Sequence, residues 1–205
     1  MSEPKIYKPS IYNGNGVYNN GAGGGEIEIG SLWINAQDVH STYGFFKTSI
    51  IPLDTASLIE ENLRCKAYSF SLDGNSFHDG GGQWWTNSTN FYGIAPYFFA
   101  DKIELDYGNG IEEFFNDINY NLTDVIDRNI VYDKLNNKAI VNISYNGINV
   151  FSHEMALDNV VLHNAPFIVG GRRMHGSTTY VFNGEIDLAK TYIKIDGNLF
   201  WGVKS

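Results

Sequence analysis

The stretch YVFNGEIDLAKTYIKIDGNLFW, residues 180–201, decides the fold of this chain. Its apolar and polar residues alternate in short runs, so each run has one face that can be buried and one that can face water. Asn183-Gly184 and Asp196-Gly197 separate these runs. Glycine tolerates the positive φ that tight hairpin turns require. The stretch therefore predicts strand, turn, strand, turn, strand, the closing part of an antiparallel β domain.

Alternation of the same kind runs through much of the remaining chain. Residues 66–72 and 139–145 alternate cleanly, and Asn146-Gly147 turns the second run into another strand. Many short, evenly spaced strands without a long helix predict one all-β sandwich or barrel. Two segments differ. Residues 54–62 are typical of one or two helical turns with Asp54 as N-cap, and residues 111–118 fit either a short helix or an irregular strand.

The closing stretch also carries a specific pattern of residues. It consists of Phe182-x-Gly184-x-Ile186-Asp187, then Tyr192-Ile193, Gly197 and Phe200-Trp201. This pattern resembles the closing strands of laminin-G-like, concanavalin A-like sandwich domains, in particular those in tail, baseplate and adhesion proteins of bacteriophages that infect Bacillota and their relatives. As a pattern of strands and turns, the resemblance extends from about residue 25 to the end of the chain.

The resemblance implies both a fold and a function. The fold is a two-sheet antiparallel jelly-roll sandwich over residues 26–205. The function is that of a non-catalytic bacteriophage virion structural protein, a decoration of capsid, tail or baseplate that adheres to host cell-surface polysaccharide. A purely architectural connector without glycan binding is the alternative. Because virions are symmetric, the chain is predicted to be a homo-oligomer or to bind a symmetric assembly.

Charge and cysteine content exclude several other classes of protein. The formal net charge is −9, from 14 Lys and Arg against 23 Asp and Glu. Phosphate binding needs clustered cations, so nucleic acid is not a predicted partner, and an acidic chain also avoids anionic membranes. No signal peptide or membrane-length apolar stretch is present, which predicts synthesis in a host cytoplasm and a place in the virion. The single cysteine, Cys65, is predicted to be a buried, inert thiol.

Residues 1–25 differ in composition from the rest of the chain. Tyr7, Tyr12 and Tyr18 stand among Asn, Gly and Pro residues, and the segment ends in GAGGG. Such a composition buries too little apolar surface to fold alone. The segment is therefore either a flexible linker or an extended docking arm, with the tyrosines as anchors to other virion proteins.

The best local case for carbohydrate binding lies in residues 78–92. The candidate residues are His78, Asp79, Gln83, Trp84, Trp85 and Tyr92. Aromatic rings stack on the apolar faces of sugars, while polar groups bond their hydroxyls. Because Trp84 and Trp85 are adjacent, they point to opposite faces of a strand, so at most one can meet a ligand.

Paired carboxylates suggest a further, enzymatic alternative. Some sandwiches of this class are glycoside hydrolases, which resemble one another through Glu-x-Asp-x-x-Glu on one strand. Glu104-Leu105-Asp106 lacks the second Glu, and Glu185-Ile186-Asp187 has Lys190 in its place. With both motifs broken, no catalytic residue and no enzyme are predicted.

No cofactor or metal site is predicted, because the histidines fall in separate segments without ligand spacing. Calcium is the alternative. Asp73, Asp79 and the backbone carbonyls of residues 74–81 offer the hard oxygen ligands that this ion prefers.

Overall fold

The structure is a computed structural model. It describes residues 11–13, 16–18, 33–35, 46–52, 55–70, 76–78, 82–83, 91–108, 110–164, 166–169, 172–175 and 178–203, some of the strands by their backbone alone. Within these ranges almost all regular structure is β-strand, and the only helices are two single 3-10 turns, Leu157–Asn159 and Leu188–Lys190. Neither turn has the length or apolar character of a membrane-spanning helix.

The strands are numbered here in chain order. They are β1 (Ile11–Asn13), β2 (Gly16–Tyr18), β3 (Trp33–Asn35), β4 (Phe46–Ile50), β5 (Leu58–Ala67), β6 (Ser76–His78), β7 (Gly82–Gln83), β8 (Phe91–Phe99), β9 (Lys102–Gly108), β10 (Ile111–Asn116), β11 (Ile126–Asp133), β12 (Lys138–Tyr145), β13 (Ile148–Ala156), β14 (Pro166–Val169), β15 (Arg172–His175), β16 (Thr178–Val181), β17 (Gly184–Asp187), β18 (Tyr192–Ile195) and β19 (Asn198–Val203).

The strands form a large antiparallel sheet and a smaller one. The large sheet has the order β13-β12-β11-β5-β18-β19-β1-β2, and β17 joins it between β5 and β3. The four-stranded sheet has the order β10-β9-β8-β6. Two short sheets, β4-β14-β7 and β15-β16, lie beside the four-stranded sheet through β7 and β16. The predicted two-sheet jelly-roll sandwich is confirmed.

One continuous core lies between the two main sheets. The large sheet contributes buried side chains such as Leu63 and Val141, and the four-stranded sheet contributes Ile94 and Phe98. The backbone N–H of Ile94 donates to the buried hydroxyl of Tyr132 at 3.1 Å, which ties the layers together. Each main sheet therefore has one face in the core and one outer face, as the period-2 pattern requires.

Two of the predicted hairpin turns are confirmed by their backbone angles. Asp196 and Gly197 have φ of 49° and 78° between β18 and β19, and Asn146 and Gly147 have φ of 51° and 80° between β12 and β13. Two successive positive φ values define the type I′ turn, whose twist matches that of the paired strands. The predicted turn at Asn183-Gly184 is wrong, because Gly184 already belongs to β17, which pairs with β3 and β5 and not with β16.

The predicted helical segment at residues 54–62 is wrong, because β5 begins at Leu58 and continues to Ala67. Along β5 the odd-numbered residues from Ile59 to Ala67 are buried and the even-numbered ones are partly exposed. Glu61 is 1% exposed, so a charged residue occupies a core position and hides the alternation. In the segment 111–118, which fitted either a short helix or an irregular strand, Ile111–Asn116 forms β10, an edge strand.

Part of the predicted arm at residues 1–25 pairs with the large sheet. β1 pairs with β19, with Tyr12 opposite Gly202, and β2 pairs with β1, with Tyr18 opposite Ile11. Tyr7 and the side chains of Tyr12 and Tyr18 lie outside what the structure describes. The boundary at residue 25 and the docking role therefore stay predictions.

Gly184 fills a position where no side chain fits. It opens β17 opposite Ala67 of β5, and a Cβ placed there would overlap the carbonyl oxygen of Lys66 and lie 2.7 Å from the Phe182 ring. Since a backbone carbonyl cannot move aside cheaply, Gly184→Ala is expected to lower the free energy of unfolding by about 3 kcal/mol in urea titrations. Gly147→Ala is the control: it adds a methyl group to open space at φ +80° and should cost only about 1 kcal/mol. Equal losses would contradict the steric argument.

Candidate active site

The β9–β10 hairpin brings three carboxylates together on the outer face of the four-stranded sheet. Glu104 and Asp106 are two residues apart on β9 and so share a face, and Glu112 of β10 lies directly opposite Asp106. One carboxylate oxygen from each residue lies within 4.8 Å of the other two. The hairpin register alone creates this group, because the three residues come from two strands.

The three carboxylates differ in their access to solvent. Asp106 is 5% exposed, whereas Glu104 is half-buried and Glu112 is exposed. Glu112 and part of Glu104 are therefore open to a ligand on this face, while Asp106 is shielded from solvent. The accessible pair can act on a bound molecule, and the buried carboxylate can position it.

Aromatic side chains flank Glu104 on both neighbouring strands. Phe114 of β10 lies opposite Glu104 and is 49% exposed, while Tyr97 of β8 lies opposite it on the other side and is buried. Lys102 covers part of the phenyl group, with its Nζ 4.5 Å from the centre of the Phe114 ring. An exposed ring beside two accessible carboxylates offers the apolar surface on which a sugar face can stack.

Two kinds of chemistry suit this arrangement. Two carboxyl groups about 5 Å apart are the machinery of glycosidases that retain anomeric configuration, whereas inverting enzymes place them roughly 6.5–9.5 Å apart. Three convergent carboxylates can also hold a hard divalent cation such as calcium. The exposed phenyl ring favours the first, since it has no function in binding a cation with oxygen ligands.

The sequence motif Glu104-Leu105-Asp106 is thus part of the site, and the residue that it lacked comes from the next strand. The motif Glu-x-Asp-x-x-Glu does not predict Glu112, because it places all three carboxylates on one strand. The signal was present: a hairpin at residues 108–110 folds the acidic pair Glu112-Glu113 back onto β9. Whether Glu112 or Glu113 meets Asp106 depends on the length of the turn.

The second partial motif has structural roles. Asp187 is fully buried, and its Oδ1 accepts a hydrogen bond of 3.1 Å from the Ala189 N–H at the start of the second 3-10 turn. Its Oδ2 lies 3.8 Å from Nε of Arg64. Glu185 lies 3.9 Å from Nζ of Lys66. Both acids belong to the large sheet, whereas Glu104, Asp106 and Glu112 belong to the four-stranded sheet.

The predicted carbohydrate-binding residues are only partly described. By backbone, His78 pairs with Tyr97, Gln83 pairs with Phe167, and Tyr92 belongs to β8. The side chains of these three residues, and all of Trp84, Trp85 and Asp79, lie outside the described residues, as does Asp73 of the calcium alternative. These assignments stay predictions. Cys65 is buried, as predicted.

Comparison with protein-family models gave no match for this sequence, and comparison with curated proteins gave none either. Two solved structures that it resembles are alginate lyases. Alginate lyase A1-II′ shares 10% identity with a TM-score of 0.44, over 81% of this chain and 79% of that chain. An alginate lyase from Pseudomonas aeruginosa shares 10% identity with a TM-score of 0.43, over 81% and 82%. At this identity the likeness concerns the fold and assigns no substrate.

The prediction of a non-catalytic virion structural protein is corrected. The two solved structures reported above are enzymes, whereas the prediction was of a non-catalytic role. The broken motif Glu104-Leu105-Asp106 also does not exclude catalysis, because Glu112 of the paired strand supplies the third carboxylate. The prediction that the chain is not an enzyme is wrong for the same two reasons.

Proposed function

We propose that this protein is a carbohydrate-active enzyme that cleaves glycosidic bonds at the outer face of its four-stranded sheet. The observation that carries the proposal is the accessible pair Glu104 and Glu112. Each offers one carboxylate oxygen within 4.8 Å of the other's, beside the exposed ring of Phe114. The pair supplies acid–base and nucleophilic groups, and the ring supplies a surface for the sugar. This upper bound of 4.8 Å lies below the roughly 6.5–9.5 Å of inverting enzymes, which favours the retaining mechanism.

The different exposures of the two residues assign their roles. Glu104 is half-buried on β9, between strands β8 and β10, so its position is fixed, which suits a nucleophile. Glu112 is exposed on an edge strand, where it reaches both the leaving group and water, which suits the acid/base. The Glu112 carboxyl donates its proton to the glycosidic oxygen while the Glu104 carboxylate bonds to the anomeric carbon. Water then releases the sugar, and Glu112 takes a proton from that water.

The proposal is tested by incubating the purified full-length protein with a panel of neutral and acidic polysaccharides. Hydrolysis produces new reducing ends without new double bonds, and proton NMR of the first product should show the anomeric configuration of the substrate. An unsaturated sugar at the new non-reducing end would indicate elimination instead, and inversion would exclude Glu104 as nucleophile. Cleavage that a chelator abolishes would assign the three carboxylates to a cation. No cleavage of any member of the panel would contradict the proposal.

A further inference from the structure

A second set of ordered polar side chains crosses the outer face of the large sheet. Cross-strand pairing places one residue from each of five adjacent strands directly opposite the next. In order they are Tyr192 of β18, Asn62 of β5, Asn129 of β11, Asn142 of β12 and Ser152 of β13. Their sequence neighbours, such as Ile193, Ile130 and Val141, point into the core. Adjacent strands are about 4.8 Å apart, so this polar row is about 19 Å long.

Each of the three amides of the polar row is held in place by one hydrogen bond and has a further hydrogen-bonding group that is not used. Asn62 donates to the Lys190 carbonyl at 2.5 Å, Asn129 donates to Glu60 at 3.2 Å, and Asn142 accepts from Ser152 at 2.9 Å. Among the described residues these are the only side-chain bonds of the three amides. Two amide carbonyls and one amide NH2 group therefore remain available on a fixed scaffold. A hydroxyl both donates and accepts, so a hydroxyl-rich ligand can pair with either group.

The charged residues beside the polar row are neutralised by their own partners. Glu60 accepts from the Tyr192 hydroxyl at 2.8 Å and lies 3.8 Å from Nζ of Lys194. On the other side, Arg64 lies 3.7 Å from Asp127 and 3.8 Å from Asp187. No charge of one sign dominates the row, so it fits an uncharged ligand better than an ionic one.

Tyr192 gives one end of the polar row an aromatic ring. Burial, reinforced by the Glu60 carboxylate, raises the pKa of its hydroxyl to about 12, so the group stays neutral and keeps its proton. The Lys194 ammonium lies 4.5 Å from the ring centre and holds the ring in place. A ring beside a series of amides and hydroxyls matches a sugar chain, which presents apolar faces and hydroxyl rims in turn.

We infer that the polar row binds an uncharged polysaccharide that lies across the strands of the large sheet. The row repeats at a fixed spacing, which suits a polymer of repeating units, and its uncharged groups suit neutral sugars. The row and the pair Glu104 and Glu112 lie on opposite outer faces of the sandwich, because the inner faces of the two sheets pack against each other in one core. The inference stands independently of the proposed catalysis.

The test is affinity electrophoresis of the full-length protein in native gels that contain a soluble neutral polysaccharide, either a β-glucan, a galactomannan or a xylan. Asn129→Leu and Asn142→Leu keep the branched shape of the side chain and remove the hydrogen-bonding groups. Each is expected to raise the dissociation constant about tenfold for the polysaccharide that retards the parent protein. Asn116→Leu makes the same change on the outer face of the four-stranded sheet and is the matched control, expected to bind like the parent.

Each outcome of this experiment decides the inference. Loss of retardation in both variants of the polar row, with an unchanged melting temperature and normal binding by Asn116→Leu, supports it. Retardation that is equal in all four proteins, or absent with every neutral polysaccharide, overturns it. Retardation only by an acidic polysaccharide, lost as salt is added, overturns the assignment to uncharged sugars. The readout is binding, so failure of glycosidic cleavage leaves the test unaffected.

Discussion

Arg128→Met alone is expected to lower the free energy of unfolding by roughly 3–5 kcal/mol, because it leaves the Glu61 carboxylate in the core without this cation. Arg128 and Glu61 are 0% and 1% exposed, and Nη1 lies 3.4 Å from Oε2. The two residues come from neighbouring strands, β11 and β5, and both point into the core. Glu61→Leu alone should cost a similar amount, since it leaves the guanidinium without this carboxylate.

The double variant Glu61→Leu with Arg128→Met should recover most of this loss. Removing both charges also removes the cost of holding them away from water, and two apolar side chains of similar volume can fill the space. Urea unfolding of the four proteins in a double-mutant cycle measures the coupling directly. If the double variant is as unstable as the sum of the single ones, the pair is not an electrostatic unit.

A surface ion pair provides the control. Lys138 and Glu154 are closer, at 2.8 Å, but their side chains are 47% and 53% exposed. Water already solvates both charges, so Lys138→Met should cost at most about 1 kcal/mol. A comparable loss from Lys138→Met and Arg128→Met would mean that burial is not the source of the effect.

This buried pair also shows where sequence patterns mislead. The strand pattern of β5 and β11 is regular in the structure, with every second residue buried. In each strand, however, one core position is charged. Glu61 therefore interrupts the alternation of apolar and polar residues in the sequence of β5, and this segment was predicted to be helical. By contrast, β18 and β19 were predictable because Asp196-Gly197 fixes the turn and the inward residues Thr191 and Ile193 carry no charge.

Of the three carboxylates, Glu104 and Asp106 were predictable as a pair, but Glu112 was not, because its place depends on the register between β9 and β10. The acidic run Glu112-Glu113 was visible, and so was a turn near Asn109-Gly110. A two-residue turn at Asn109-Gly110 would place Glu113 opposite Asp106. The structure instead pairs Tyr107 with Ile111, which leaves three residues in the turn and places Glu112 there. A shift of one residue exchanges the two faces of a strand, and no local pattern decides it.

Substituting the two glutamates that this register brings together tests the proposed catalysis most directly. Glu104→Gln is expected to lower kcat by at least about 10⁴-fold, and Glu112→Gln by about 10²–10⁴-fold, because amides can neither attack the anomeric carbon nor transfer the proton. Each tenfold loss corresponds to about 1.4 kcal/mol of transition-state stabilisation. Initial rates of reducing-end formation, on the polysaccharide that the parent protein cleaves, measure both losses.

Glu113→Gln is the matched control, since it makes the same change one residue away on the same strand. Glu113 points to the inner side of β10, where its Oε2 lies 3.4 Å from Nε2 of His153. Its loss should leave the cleavage rate within about threefold of the parent, as expected for a residue that contacts neither sugar nor the reacting pair. Equal losses in Glu112→Gln and Glu113→Gln would show a general disturbance of the hairpin and contradict the assignment.

Rescue by azide separates the two catalytic roles. In Glu104→Ala, azide can occupy the space of the carboxylate and attack the anomeric carbon, so the expected product is a glycosyl azide of inverted configuration. In Glu112→Ala the nucleophile remains, and azide attacks the glycosyl-enzyme to give the retained configuration. The second reaction is expected with an activated leaving group, because that leaving group departs without a proton. Opposite configurations would exchange the two assignments. If azide restores no reaction in either variant, neither residue forms or resolves a glycosyl-enzyme, and the retaining mechanism is excluded.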